Sequence, residues 1–518
     1  GAGAVTGTTD SVLIGRGGGA DVTNTRVGVQ ALNNNSIGSS NTAMGYNTLI
    51  NIDASNNSAF GYLAYSVSST GGSNVAFGSL ALQNNTVDGS SALGYAALRA
   101  NTTGLENTAV GYTSLFTNST ANYNTACGYG ALFTNNAANN TAVGKRALYA
   151  NSSGARNTAI GSEALIANTT ANNNLAIGYA ALTANTTGFN NTSVGTLSMI
   201  FNVTGESNVA VGLNSLLQNI AGHRNVAVGL GAMEKNNANE NTSVGTEALN
   251  KSISGTGNVA VGYRSAYNTL VSQTTSVGYQ SLFNNTSGIN NLAVGYQSLF
   301  TNTNGGYNLA VGALGLFANT GSFNNAFGYS ALNQNTTGQY NCAFGTEALY
   351  SNGIGLYNCA FGSYALRNSA NTGANSAFGH ESLVTNTSGT LNFGFGYNSL
   401  HLNTTGNYNT ALGAGSLQTT STVNGNTALG YGTLFNSTAA EMTAVGFLAL
   451  YNNTTGSSNI AIGAHSLFTN NLGNNNIALG TYALTTNTSG NFNIAIGSSS
   501  LYAKSTGLRN IAIGDRAL

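Results

Sequence analysis

Apolar and polar positions alternate along this chain in a frame that repeats every 16 or 17 residues. The frame is read from a glycine, taken as position 0, that closes the motif Asn-Thr-Ala-Val-Gly. It falls at Gly28, Gly45, Gly61, Gly78 and Gly94, and continues to Gly480, Gly497 and Gly514; only the first interval, from Gly15, is shorter. Position −1 is apolar (Val110, Ile160, Val211, Phe344, Leu412), and −3 is Thr, Val, Ile, Leu or Cys in most coils (Thr108, Val226, Leu309). Between them, −2 is small in every coil after the first two (Ala109, Ser193, Ala260, Gly394, Ala461). Position +3 is small and +4 is Leu almost throughout (Leu98, Leu165, Leu299, Leu417). A polar bend follows, commonly Asn-Thr-Thr-Gly as at Asn101–Gly104. Asparagine occupies −4 in nearly every coil, with Ser90, Thr274 and Met442 as exceptions.

So short a period predicts a solenoid of stacked, similar turns rather than one globular core. Positions −3 to −1 read as a strand, with −3 and −1 on one face. Glycine at 0 permits a sharp turn, the Ala-Leu pair at +3 and +4 reads as a second strand, and the bend closes the coil. About thirty coils stacked at ~4.8 Å would form a rod on the order of 150 Å long. Phenylalanine recurs at −1 in five successive coils (Phe327, Phe344, Phe361, Phe378, Phe395), as in-register stacking of like on like requires. The expected core is −3, −1 and +4, with Val211, Phe361 and Leu299 as representatives. Position −2 would then point away from that core. Its smallness, and the absence of charge from −4 to 0 after Gly45, predict a second buried face that a two-stranded coil is too thin to cover. Ala109, Ala260 and Ala461 are therefore candidate self-association residues in a parallel homotrimer. The expected organisation is an irregular coil over 1–23 and one continuous repeat solenoid over 24–518.

Composition narrows the function. Among 518 residues there is no proline, which suits a structure whose N–H groups enter ladders. Charged residues are 5% and balance to zero, so there is no basic patch for a nucleic acid. No run of 18 apolar residues predicts a membrane span. The N-terminal Gly-Ala-Gly-Ala-Val has no leader pattern, and the last coil stops after +4 without a polar cap. The chain is thus expected to be part of something longer, with Leu518 against another chain or a continuation.

The runs Asn157–Gly161, Asn258–Gly262 and Asn493–Gly497 resemble the repeats of YadA-type trimeric autotransporter heads. Similar repeats occur in tail-fibre proteins of phage type. The resemblance covers practically the whole chain. It implies an all-β fold, a left-handed parallel β-roll wound as a homotrimer, projecting from a cell or virion and binding a surface. The coil here is longer than the usual head repeat, with the extra residues in the bend.

Candidate chemistry is sparse. His223, His380, His401 and His465 lie at different coil positions, far apart, and predict no catalytic or metal cluster. Cys127 at −1 reads as a small core residue. Cys342 and Cys359 share position −3 in adjacent coils, where a spacing of ~4.8 Å favours two buried thiols over a disulfide. No aspartate ladder suggests calcium, no glycine-rich segment reads as a phosphate loop, and no cofactor is expected. Asn-x-Ser/Thr sequons such as Asn118–Thr120 and Asn403–Thr405 follow from the repeat and read first as turns. Position +1 is the candidate contact surface. It carries Tyr46, Tyr62, Tyr95, Tyr112, Tyr129, Tyr179, Tyr263, Tyr279, Tyr296, Tyr329, Tyr397 and Tyr431, which suit stacking on sugars, on cell-surface proteins or on neighbouring fibres, or simply covering the bends. The leading expectation is a non-enzymatic structural or adhesive fibre outside a cell or on a virion. The rival is a flat-surface binding solenoid acting on ice or glycans. Its required threonine column at −3 is broken by Val226, Leu309, Phe393 and Ile511.

Overall fold

The computed structural model describes residues 14–15, 21–67, 70–503 and 505–518. The chain divides into two compact units, Gly1–Gly257 and Asn258–Leu518. Each is a parallel β-solenoid, and no helix occurs among the described residues. Every coil contributes one three-residue strand, positions −3 to −1. These strands run from Thr25–Val27 to Thr242–Val244 in the first unit and from Val259–Val261 to Ile511–Ile513 in the second. Neighbours pair in parallel with like over like: Thr158 faces Leu175, Ala159 faces Ala176 and Ile160 faces Ile177. The pair Ile14–Gly15 differs, lying antiparallel to Thr25–Val27. Most of residues 1–23, where an irregular coil is expected, lies outside the described residues.

The expected second strand does not form. Positions +1 to +5 make a turn ribbon in which +2 and +4 adopt left-handed backbone: φ is 50° at Thr113 and 49° at Leu115. The N–H groups of these two residues point to opposite neighbours. Thr113 donates back to Tyr95 O (2.9 Å), and Leu115 donates forward to Ala131 O (3.0 Å). A left-handed leucine costs roughly 1–2 kcal/mol. Burial of its whole side chain, worth about 1.5–3 kcal/mol, and the ladder bond offset that cost; Leu115 is fully buried. Glycine at 0 is required twice over. Gly178 has φ +132°, and a methyl added there would lie 2.5 Å from Gly195 O in the next coil.

The two faces of the strand are the reverse of the expectation. Ala159 is fully buried, while Thr158 and Ile160 on either side face outward, Ile160 with 39% of its surface open. Gly394 reports what lies inside position −2: a Cβ there would meet Ser382 Oγ and Ser399 Oγ, both +3 residues, and Leu383 Cδ1, a +4 residue. The coil interior thus holds the −2 methyl, the small +3 residue and the +4 leucine, and no space remains for a larger −2 or for inward −1 and −3 side chains. Leu299 is buried as expected, but Val211 and Phe361 are half-buried on the outer face. Ala109, Ala260 and Ala461 are fully buried inside their own coils, so they offer no surface to another chain.

Two buried asparagine columns complete the interior. At −4, the Asn157 N–H donates to Asn140 Oδ1 (2.9 Å), its Nδ2 donates to Ala171 O (2.8 Å), and its Oδ1 accepts the Asn174 N–H (2.9 Å). At +7, the first asparagine of the bend, Nδ2 donates to the Oδ1 of the preceding coil from Asn101 to Asn85 through Asn219 to Asn202 without a break. Both columns are desolvated, and most of their amide groups bond one another or backbone groups; Asn124 Nδ2 and the Oδ1 atoms of Asn219, Asn403 and Asn487 are buried without a partner. Asn118 and Asn403, which head sequons, are fully buried, so the folded coil withholds them from glycosylation.

Candidate binding surface

The outward side chains fall into columns because coils stack in register. Columns −3 and −1 form an outward-facing strip along each unit. The −1 strip is apolar in every described coil from Val27 onward, and many of its members are more than a third exposed, among them Phe77, Leu93, Val261, Phe395 and Ile462. It carries no charge. Within it Phe327, Phe344, Phe361 and Phe378 stack at 4.4, 4.6 and 5.0 Å between ring centres.

All twelve +1 tyrosines named from the sequence lie on the surface, from 39% exposed at Tyr263 to 59% at Tyr431. Runs of them stack: Tyr46 on Tyr62, Tyr95 on Tyr112 on Tyr129, and Tyr263 on Tyr279 on Tyr296, at 5.1–5.6 Å. A second aromatic column, at +5, is not anticipated by the sequence reading. It runs Phe116–Phe133–Tyr149 in the first unit, and Tyr267–Phe283–Phe300–Phe317 and Phe435–Tyr451–Phe468 in the second. Each stacked pair adds about 0.5–1.5 kcal/mol beyond area burial. The signal for the +5 column is its aromatic recurrence one residue past the leucine. Where the +1 and +5 columns approach each other around Tyr431 and Tyr451, they enclose a cleft of about 420 Å³.

The cysteines do not occupy the interior. Cys127 is exposed on the outer strip, and Cys342 and Cys359 are half-buried neighbours there with free thiols. The Cys342 thiol hydrogen-bonds the Cys359 sulfur, which lowers Cys359 to about 7 and pushes Cys342 up. No group of three or more metal-ligating side chains occurs among the described residues, and no helix among them is long and apolar enough to cross a membrane. The four histidines stay apart: His380 stacks on Tyr397, His465 on Tyr482, His401 lies 3.7 Å from Glu381, and His223 Nδ1 accepts the Glu206 N–H. No family model matches the chain, and no curated protein matches it.

Proposed function

We propose that this chain is a structural and adhesive segment of an extracellular fibre, on a cell surface or virion, that associates with copies of itself as a homotrimer and displays a surface for attachment. One observation carries the reading: the outward −1 column is apolar and uncharged coil after coil. A contiguous exposed apolar strip of this kind marks an interaction surface on a soluble protein. The resemblance of the motif to trimeric autotransporter heads and phage-type tail fibres supports the same reading. No catalytic role is proposed. The self-association residues become Val261, Val277 and Ile462 and their column-mates, in place of the buried alanines.

The test is a double substitution, Val261→Lys with Ile462→Lys, in the full chain. Sedimentation velocity should show the parent as an oligomer and the variant as a monomer, with circular dichroism unchanged because both side chains point outward. A parent chain that stays monomeric at high concentration would sink the assembly reading. A second reading, a flat-surface module for ice or glycans, draws on the outward hydroxyls of Thr108, Thr125, Thr141 and Thr158 in four successive coils. Leu175 then ends that row. Thermal hysteresis in a freezing assay would favour it.

A further inference from the structure

The +1 column of the second unit loses its ring between two tyrosines at Ala313 and at Ala414, and position +2 beside the gap is Leu314 at the first and Gly415 at the second. Tyr397 stacks on His380 at 5.8 Å, and Tyr431 stacks on Phe447 at 5.6 Å. The coil between the two tyrosines carries Ala414, so each presents one ring face toward the gap. Two coil spacings separate the rings, about 10 Å, which is the space of one inserted ring. Position +2 deepens the gap. It is glycine in two successive coils, Gly415 and Gly432, and in no other successive pair of described coils. The floor is open above Gly415, where a methyl would lie 3.2 Å from Gln418 Oε1 and 3.6 Å from the Phe435 ring; above Gly432 the Leu448 side chain takes that space, 2.6 Å from where a methyl would sit, with the Tyr451 ring at 3.6 Å. The opposite wall, Phe435–Tyr451–Phe468, is stacked at 5.0 and 5.4 Å and is therefore preformed.

The resulting cleft, about 420 Å³, falls in the range of small-ligand sites, which pair aromatic walls with a few placed polar groups. No lining residue is charged, so an anionic or cationic guest would find no counter-charge. The polar groups are the Gln418 carboxamide, which both donates and accepts, and the tyrosine hydroxyls. The guest that matches has two apolar faces for the rings, a hydroxyl-bearing rim for Gln418 and the phenols, and no charge. We propose that this cleft binds one pyranose ring of a neutral carbohydrate, held between Tyr397 and Tyr431. The C–H faces of the sugar lie against the electron-rich ring faces, and Gln418 hydrogen-bonds its hydroxyls. The proposal deepens the attachment half of the function above and rests on it for its biological sense.

The full chain is titrated calorimetrically with three neutral trisaccharides, of glucose in β-1,4 and α-1,4 linkage and of N-acetylglucosamine, and with phenol as a flat aromatic probe. At least one sugar should bind at one site per chain, and Tyr431→Ala should weaken it about tenfold or more. The decisive variant is Ala414→Tyr. It refills the column with the residue that most often stands there, so it should fold with an unchanged or raised thermal midpoint and lose sugar binding. Tyr112→Ala, in a filled column of the first unit, should leave binding intact. No binding of any of the three sugars at about 10 mM, equal binding by Ala414→Tyr, or binding of phenol alone would each overturn the assignment. Sugar binding by a chain that does not adhere to glycan-coated surfaces keeps the cleft and removes the adhesive role. Adhesion that survives Ala414→Tyr undiminished keeps the adhesive role and removes the cleft from it.

Discussion

At the scale of the residue, the fold depends on amides that a single repeat cannot reveal. Asparagine at −4 is conspicuous in the sequence, yet in one coil it looks like a turn residue. Only stacking shows that each supplies what the next one needs. The exceptions make the point: Ser90, Thr274 and Met442 still donate their backbone N–H to the asparagine Oδ1 of the preceding coil, so that acceptor is satisfied whichever side chain follows. What fails is the bond to the coil after, as at Asn107, whose N–H reaches Ser90 Oγ only at 3.4 Å. Asn157→Ala should therefore orphan the Asn174 N–H and leave the Ala171 carbonyl with Asn168 alone. An unsatisfied buried donor costs about 1–3 kcal/mol. Hydrogen exchange should show the Asn174 amide losing protection selectively. If its exchange rate does not change, the column is ornamental rather than structural.

At the scale of the coil, the period, the strand and the glycine turn were legible, and the side of the strand that faces inward was not. Alternation proves that −2 and the pair −3/−1 face oppositely, but it does not say which face is inside. Size suggested that the larger residues fill the core. The coil is too narrow for that: the +4 leucine enters from the opposite wall and leaves space only for a methyl or hydroxymethyl at −2, as Ala159 and Ser193 show. Serine there is satisfied locally, Ser193 Oγ donating to Ser198 O at 3.0 Å. The ribbon of alternating left-handed residues was likewise hidden, because leucine is a poor indicator of positive φ. A pair of neighbouring substitutions separates the two faces. Ala159→Leu overfills the interior and should cost about 1–3 kcal/mol. Ile160→Leu, on the outer strip, should stay within about 0.5 kcal/mol of the parent. Urea unfolding of both variants measures the difference. Equal effects at the two positions would contradict the inward placement of −2.

At the scale of the whole molecule, the solenoid class was readable from the repeat, whereas the cleft was not. The sequence drew attention to where tyrosine recurs at +1, and the cleft arises where it is absent, at Ala414, with Gly415 and Gly432 beside it. A departure from a column acquires meaning only once the column is known to be stacked. The proposed association through the −1 column carries a prediction about charge. The 14 basic and 14 acidic side chains cancel, and the ion pairs Arg224–Glu240 and Arg367–Glu347 are internal to their units, the first well exposed. With no net charge, nothing keeps copies apart, and with an uncharged apolar strip nothing electrostatic holds them together. Association through that strip should therefore be indifferent to sodium chloride between about 0.05 and 1 M, a range over which the screening length falls from more than 10 Å to about 3 Å. It should strengthen in ammonium sulfate and weaken on cooling, as burial of apolar surface does. Sedimentation velocity across these conditions gives the answer directly. Oligomers that come apart in 1 M sodium chloride would mean that the few charged residues, not the −1 column, form the contact.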